Sequence, residues 1–218
     1  MNQNIDPLIL KSLPFDPLPG DFDLSRKESY RSEIGRKACF SLLRRLLKDK
    51  RYFHSISVGS LCELAAIEQG MDVLNARWAG VLHDLAKRVA KGEKGKALME
   101  KYYPEYADLP DWTYHQFLGA LLAKELFGVD NPDVLDAICF HATGKKDMCR
   151  LGKLVYACDK IDPLRGYDSS DMIKAVTNDV DKGFVYVLDE NRKYYRSKGF
   201  EPERMTKECF AFYLKEKG

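Results

Sequence analysis

The stretch WAGVLHDLAK, residues 78–87, places His83 and Asp84 side by side within an apolar run. Apolar residues recur here at helical spacing, which predicts one α-helix over about residues 73–91. On such a helix, Asp84 lies about 100° further round than His83. An ionisable pair therefore interrupts a face that is otherwise suited to burial. The remaining residues on the His83 face are small: Ala79, Gly80, Ala86 and Ala90.

Two interpretations of this pair stay open on the local sequence. A single histidine on a partly apolar face is most often a hydrogen-bonded structural residue, and Asp84 can pair with Lys87 or Arg88. That ion pair explains Asp84 and leaves His83 unexplained. A metal ion just outside the helix would be reached by both side chains, since imidazole nitrogen and carboxylate oxygen suit zinc, iron or manganese.

The rest of the chain shows the same helical spacing, whereas strand-type alternation appears nowhere over a useful length. We therefore predict an all-α fold, a helical bundle of roughly eight to ten helices. A proline-rich N-terminal arm at residues 1–34 precedes a domain at residues 35–218. The further helices are predicted at about residues 27–49, 54–69, 93–102, 113–127, 132–142, 150–161, 169–182, 184–197 and 203–216.

Composition excludes several classes of protein. The 35 basic residues are scattered and nearly balance the 33 acidic ones, for a net charge of +2, which argues against polymeric nucleic acid as the main ligand. A small phosphorylated ligand remains compatible. The six cysteines form no C-x-x-C pair, which favours free thiols in a reducing compartment. No secretory signal and no apolar run of about 20 residues is present, so we expect a cytoplasmic protein without a membrane partner.

Further polar residues stand in or beside apolar helical segments. Asp159 borders the buried face of LGKLVYACDKIDP, where a bare carboxylate is costly and calls for a cation or hydrogen-bond donors. A lysine or arginine partner would satisfy that need as well as a metal ion. The remaining histidines are His54, His115 and His141, and each taken alone is best interpreted as structural.

In chain order these residues read H, HD, H, H and D, at positions 54, 83–84, 115, 141 and 159. This ordered set resembles the HD-domain metal-dependent phosphohydrolases, and among them the bacterial symmetrical diadenosine-tetraphosphate hydrolases. The resemblance covers about residues 35–200 and includes an H-x-T-G motif at His141 and a D-x-I-x-P-x-R motif from Asp159 to Arg165. One departure is KIDPLR, where a Glu-Pro form is commoner. The segments that carry the resemblance are RYFHSISV, AGVLHDLAK, HQFLGALLAKELFGV, DAICFHATGKKDM and KLVYACDKIDPLR.

The resemblance implies a metal ion, most often iron and alternatively manganese, held by His54, His83, Asp84 and Asp159. It implies that His115 and His141 face the phosphates or a second cation, which leaves one ion or two open. Residues with implied catalytic roles are Asp84, Lys87, His115 and His141. Residues implied to contact or shape the substrate pocket are Arg51, His54, Asp84, Lys87, His115, His141, Thr143, Gly144 and Arg165.

The implied reaction is metal-dependent hydrolysis of diadenosine tetraphosphate to two ADP by metal-activated water. The implied partner is thus a small dinucleoside polyphosphate, with a homodimer suggested by the resemblance alone. Two alternatives keep the fold and change the function. One is hydrolysis of another nucleotide, and the other is a helical module that binds a nucleotide without hydrolysing it.

Overall fold

The computed structural model describes residues 5–14 and 29–214 of the 218-residue chain. Within them it contains eleven α-helices, with short 3-10 turns between some of them, and no strand, so the all-α prediction is confirmed. The helix beyond the predicted ten is α1, in the N-terminal arm. The helices are α1 Pro7–Ser12, α2 Glu33–Leu46, α3 Asp49–Glu68, α4 Val73–Leu82, α5 Gly92–Tyr102, α6 Tyr114–Phe127, α7 Pro132–Cys139, α8 Arg150–Ile161, α9 Ser170–Asn178, α10 Val180–Lys198 and α11 Arg204–Tyr213.

Local sequence signals set several helix boundaries. The Asp72 side chain accepts a hydrogen bond from the Asn75 amide and begins α4. Asn131 caps α7, whose first residue is Pro132, a residue suited to that position because its missing N–H would be unpaired there. Gly128 ends α6 in the left-handed conformation, with φ 63°.

The centre of the molecule is formed by α3, α4, α7 and α8, which pack against one another. Helix α6 packs on α7, and twelve of its fourteen residues are buried, so this helix is apolar nearly all round. Helices α9 and α10 lie against α8, and α11 packs on α10. The contact between α3 and α4 is unusually close because two glycines, Gly59 and Gly80, face each other there.

The predicted helix over residues 73–91 is wrong in its second half, because α4 ends at Leu82 and residues 83–90 form turns. In those turns Leu85 N–H donates to Leu82 O and Lys87 N–H to Asp84 O, three residues back rather than four. The apolar pattern continues through the turns since six of their eight residues are buried too. Hydrophobic spacing therefore reported burial correctly and the backbone conformation incorrectly. For the same reason α7 ends at Cys139, and His141 lies in the turn that follows it.

The described part of the arm packs on its own chain. Ile9 of α1 is buried, and α1 lies against α5. Asp6 accepts hydrogen bonds from Lys101 and from the Tyr102 hydroxyl, both at the end of α5. The predicted boundary at residue 34 stays a prediction, and residues 15–28 lie outside the described part.

Two predictions from composition can be compared with the structure. All six cysteines are free, and five of them are buried. Among the described residues, no helix combines the length and the apolar character needed to cross a bilayer.

Candidate metal centre

Side chains from five separate elements converge on one buried point. His54 comes from α3, the pair His83–Asp84 from the end of α4, and His115 from the start of α6. His141 comes from the turn after α7, and Asp159 from the last turn of α8. All six side chains are buried. Residues spread over more than a hundred positions thus meet, as the ordered motif requires.

Three of the histidines are oriented in the same way. Nδ1–H of His83 donates to the Gly80 carbonyl at 2.6 Å, and Nδ1–H of His141 donates to the Ile138 carbonyl at 2.8 Å. His115 repeats the pattern with the Trp112 carbonyl at 2.7 Å. In each case the acceptor lies three residues earlier in the chain. This bond fixes the tautomer and aims the Nε2 lone pair into the site, as at metal-binding histidines.

His54 is oriented by a carboxylate instead of a carbonyl. Its Nδ1 lies 2.5 Å from Asp162 Oδ2, and Ser57 donates to the other oxygen of that carboxylate at 2.6 Å. Asp162 is fully buried. Sequence reasoning treated this position only as a departure from a Glu-Pro form. The available signal was a second aspartate three residues after Asp159.

The ligand atoms form two groups that share Asp84. In the first, His54 Nε2 lies 3.0 Å from Asp159 Oδ1, and His83 Nε2 lies 3.3 Å from Asp84 Oδ2 and 3.6 Å from Asp159 Oδ1. In the second, Asp84 Oδ1 lies 3.4 Å from His115 Nε2 and 3.7 Å from His141 Nε2. The triads His54–His83–Asp84 and Asp84–His115–His141 each have geometry that could hold a metal ion.

The residues fit a metal on an observation independent of the motif. His83 Nε2 and Asp84 Oδ1 are buried and have no hydrogen-bond partner among the described residues. Buried polar atoms are nearly always paired, since an unpaired one costs about 1–3 kcal/mol. A cation in contact with either atom would satisfy it. Mixed imidazole and carboxylate ligands are the set that iron, zinc and manganese accept.

Basic side chains surround the carboxylates. Arg51 donates to Asp84 Oδ2 at 2.6 Å, Arg165 donates to Asp159 Oδ1 at 2.5 Å, and Lys160 Nζ lies 3.0 Å from Asp159 Oδ2. The sequence analysis selected Arg51, Lys87 and Arg165, and all three line the same cavity of about 280 Å³. The sequence analysis missed Lys160, which lines this cavity as well. Other residues lining the cavity are Asp84, Trp112, His115, Ala142, Asp159, Lys160, Asn191, Tyr194 and Tyr195.

Thr143 and Gly144 do not line this cavity. The Thr143 hydroxyl is fully buried and donates to the Gly144 carbonyl at 2.9 Å. Gly144 has φ 70°, and a Cβ there would lie 2.6 Å from Cys209 Sγ of α11. Gln116, which sequence reasoning missed, accepts from the Ala142 and Thr143 amides through Oε1. These residues hold the turn that carries His141 in place.

The electrostatics identify where the site favours positive charge. Burial opposes a charge on His83, but the neighbouring carboxylates outweigh it and raise the pKa of His83 to about 9. Burial lowers the pKa of His141 to about 4. Burial and the Lys87 ammonium hold the pKa of His115 well below its usual value, so His115 and His141 are neutral imidazoles at neutral pH. In the absence of another cation, the charge thus rests on His83, between Asp84 and Asp159.

Comparison with known proteins gives a consistent result. The sequence model of the HD domain matches residues 51–164. A protein of Mycoplasma pneumoniae named "Probable nicotinate-nucleotide adenylyltransferase/Ap4A hydrolase" is 29% identical over 165 residues, 72% of this chain and 46% of that protein. The chain thus spans less than half of that relative. Bacillus subtilis "Bis(5'-nucleosyl)-tetraphosphatase, symmetrical" is 26% identical over 172 residues, 74% of this chain and 92% of that protein.

A solved structure supports the same fold. It is described as a "predicted HD superfamily hydrolase involved in NAD metabolism" from Clostridium acetobutylicum, with a TM-score of 0.70 and 29% identity. The match covers 84% of this chain and 98% of that chain.

Proposed function

The chain belongs to the HD domain family, a family of metal-dependent phosphohydrolases, and on that premise we propose that it cleaves diadenosine tetraphosphate symmetrically into two ADP. The observation that carries the hydrolase proposal is the pair of unpaired buried atoms, His83 Nε2 and Asp84 Oδ1, among converging histidines. The substrate is proposed from the names of the B. subtilis relative and of a second one from Halalkalibacterium halodurans, 27% identical.

The proposed metal ligands are His54, His83, Asp84 and Asp159, and iron is the proposed metal. When bound, such an ion polarises a phosphoryl oxygen and lowers the pKa of a water molecule toward neutrality. His115 and His141 share Asp84 with this group, and they serve either as ligands of a second ion or as neutral contacts for the phosphates. Asp162 holds His54 in its orientation.

Basic side chains would bind the polyphosphate bridge of the substrate. Arg51, Lys87, Lys160 and Arg165 line one cavity with two of the proposed ligands, Asp84 and Asp159, so a substrate with several negative charges meets four positive side chains there. The guanidinium groups of Arg51 and Arg165 can contact two phosphoryl oxygens at once. They would thereby hold the bridge and balance the charge that develops on the leaving phosphate.

Proton transfer to the leaving group is assigned to Lys87 and His115. Lys87 Nζ lies 2.8 Å from His115 Nε2, so the lysine ammonium donates to a neutral imidazole. Burial lowers the pKa of Lys87, which makes its proton easier to give up. In the overall reaction, the oxygen of water bonds to one inner phosphorus and the central bridging P–O bond breaks. The departing ADP oxygen takes up a proton from the Lys87–His115 pair, and the proton lost by the attacking water restores that pair.

The experiment combines metal analysis with product analysis. Purified protein should contain stoichiometric transition metal, and incubation with diadenosine tetraphosphate should give ADP as the sole nucleotide product by chromatography. Asp84→Ala should lose both metal and turnover. The matched control is Glu68→Ala, an exposed carboxylate at the end of α3, which should keep both. ATP plus AMP as products, or no turnover by metal-loaded protein, would refute the substrate; a metal-free active protein would refute the site.

A further inference from the structure

The cavity at the candidate metal centre is too small for the proposed substrate. Its volume is about 280 Å³, whereas sites for whole small ligands usually measure about 300–1,000 Å³. Diadenosine tetraphosphate adds two nucleosides to the phosphate bridge. The nucleosides must therefore bind in space that adjoins this cavity.

A groove of about 650 Å³ adjoins it beside α9 and α10. The groove and the cavity share four lining residues, Lys160, Arg165, Asn191 and Tyr194. The groove is therefore continuous with the phosphate-binding side of the centre. The residues found only in the groove are Tyr167, Asp168, Met172, Val187 and Glu190.

The lining changes in character from the shared boundary outward. Lys160 and Arg165, beside the proposed metal ligand Asp159, are cationic. Asn191 donates to the buried Tyr156 hydroxyl at 2.8 Å, which fixes its carboxamide, and its Oδ1 accepts no hydrogen bond from the described residues. The shared boundary also carries the aromatic ring of Tyr194, and beyond it the lining is aromatic, apolar and acidic. This order matches a nucleotide, in which phosphate is followed by ribose hydroxyls and then by a flat base with an exocyclic amine.

Two tyrosines give the groove surfaces on which a base can stack. Tyr194 is 52% exposed and Tyr167 is 47% exposed, so both rings are accessible. The Tyr167 hydroxyl donates to the Lys160 carbonyl, which ties this ring to the end of α8. Aromatic faces bind nucleobases by stacking with little dependence on sequence.

We propose that this groove binds one nucleoside of the substrate, with the base stacked on Tyr194, the ribose beside Asn191, and the phosphates at Lys160 and Arg165. The inference rests on the proposed function, because it takes the phosphate end of the ligand to lie at the metal centre. It adds a nucleoside site that the HD motif does not contain.

A second groove adjoining the centre has a different lining. It measures about 540 Å³ and presents Lys50, Arg51 and Arg165 together with Phe53, His54 and Leu164, without a carboxylate or carboxamide. Three cations suit phosphate better than they suit the amine edge of a base. The groove beside α10 is therefore the better nucleoside site.

The test compares ADP with inorganic diphosphate on the full-length, metal-loaded protein by calorimetry. Wild-type protein should bind ADP at least tenfold more tightly than diphosphate, since only ADP carries the nucleoside. Tyr194→Ala should weaken ADP binding about tenfold, the size expected for one stacked base, and leave diphosphate binding unchanged. Tyr194→Phe keeps the ring and should bind ADP as the wild type does.

The matched control is Tyr186→Ala. Tyr186 is on the same helix and 41% exposed, but it lines neither the groove nor the cavity. Equal affinity of wild-type protein for ADP and diphosphate would overturn the proposal, and so would a Tyr194→Ala variant with wild-type ADP affinity. Failure of the proposed function is detected separately, as absence of ADP production from diadenosine tetraphosphate, while the calorimetry still decides whether the groove holds a nucleoside.

Discussion

Replacing Gly80 with alanine tests whether the close contact of α3 and α4 sets the geometry of the metal centre. A Cβ at Gly80 would lie 2.8 Å from Gly59 Cα, 3.0 Å from Gly59 N and 3.0 Å from Cys62 Sγ. Two of these atoms belong to the backbone of α3 and cannot rotate away. The helices must therefore separate, and His54 on α3 must move relative to His83 at the end of α4.

The expected magnitude follows from the cost of overpacking. Inserting a methyl group into a filled core costs about 1–3 kcal/mol. For a domain of this size, each kcal/mol lowers the melting temperature by about 2–4 °C. The rings of His54 and His83 are 5.1 Å apart between centroids, and a metal site tolerates only a few tenths of an ångström in ligand position. Gly80→Ala should therefore lower metal affinity at least tenfold, in addition to destabilising the fold.

The assay is thermal unfolding followed by circular dichroism, together with metal titration below the melting temperature. The matched control is Gly152→Ala in α8, where a Cβ would find its nearest atoms at 3.5 Å, an ordinary contact. Alanine should be tolerated at Gly152, with a gain of up to about 1 kcal/mol from helix propensity. A Gly80→Ala protein with wild-type melting temperature and metal affinity would refute the reasoning.

Three further changes probe other parts of the molecule. Asp162→Asn weakens the acceptor for His54 Nδ1, and we expect metal affinity to fall about 10–100-fold with the fold retained, as measured by metal titration. Arg51→Met removes a proposed phosphate contact and should lower kcat/KM for diadenosine tetraphosphate about 10–100-fold while metal content is unchanged. Hydrogen bonds from Lys101 and Tyr102 lower the pKa of Asp6 from 3.8 to about 2. Its contribution to stability should be present above pH 3.8 and be lost as the pH falls through about 2, and Asp6→Asn should remove this dependence in acid unfolding curves.

Each of these three predictions has an outcome that would contradict it. Full metal affinity in Asp162→Asn would mean that His54 needs no orienting carboxylate. Unchanged kcat/KM in Arg51→Met would mean that the phosphates bind elsewhere. The control is Arg88→Met, because the Arg88 guanidinium donates to the Arg45 carbonyl and lies outside the cavity. If wild type and Asp6→Asn show the same acid unfolding curve, the contacts of Asp6 contribute nothing to folding. Asp133→Asn, an exposed residue of α7, is the control for that comparison.

The sequence allowed correct prediction of features that depend on local spacing or on an ordered motif. Helix class and most helix positions followed from apolar spacing, and the residues that meet at the centre followed from the order of His54, His83, Asp84 and Asp159. The end of α4 could not be predicted, because six of the eight residues 83–90 are buried although they are not helical, so the apolar pattern continues past the helix end.

Contacts between distant residues were the other part that stayed out of reach. Asp162 orients His54 across 108 positions of the chain. The Thr143 side chain is turned into the fold by Gln116, 27 residues away. No periodicity within a single helix reports either contact, since both depend on how the helices cross.

The orienting bonds of the histidines also bear on the order in which the site can be assembled during synthesis. Three imidazoles carry their own acceptor within one turn of chain, so each is aligned as soon as its segment folds. His54 must wait for Asp162, although it emerges first from the ribosome. Metal binding at the His54–His83–Asp84 triad should therefore begin only after residue 162 has left the exit tunnel. Radioactive iron, the proposed metal, bound to stalled nascent chains of graded length would reveal this step, and binding at that triad by chains ending before Asp162 would contradict it.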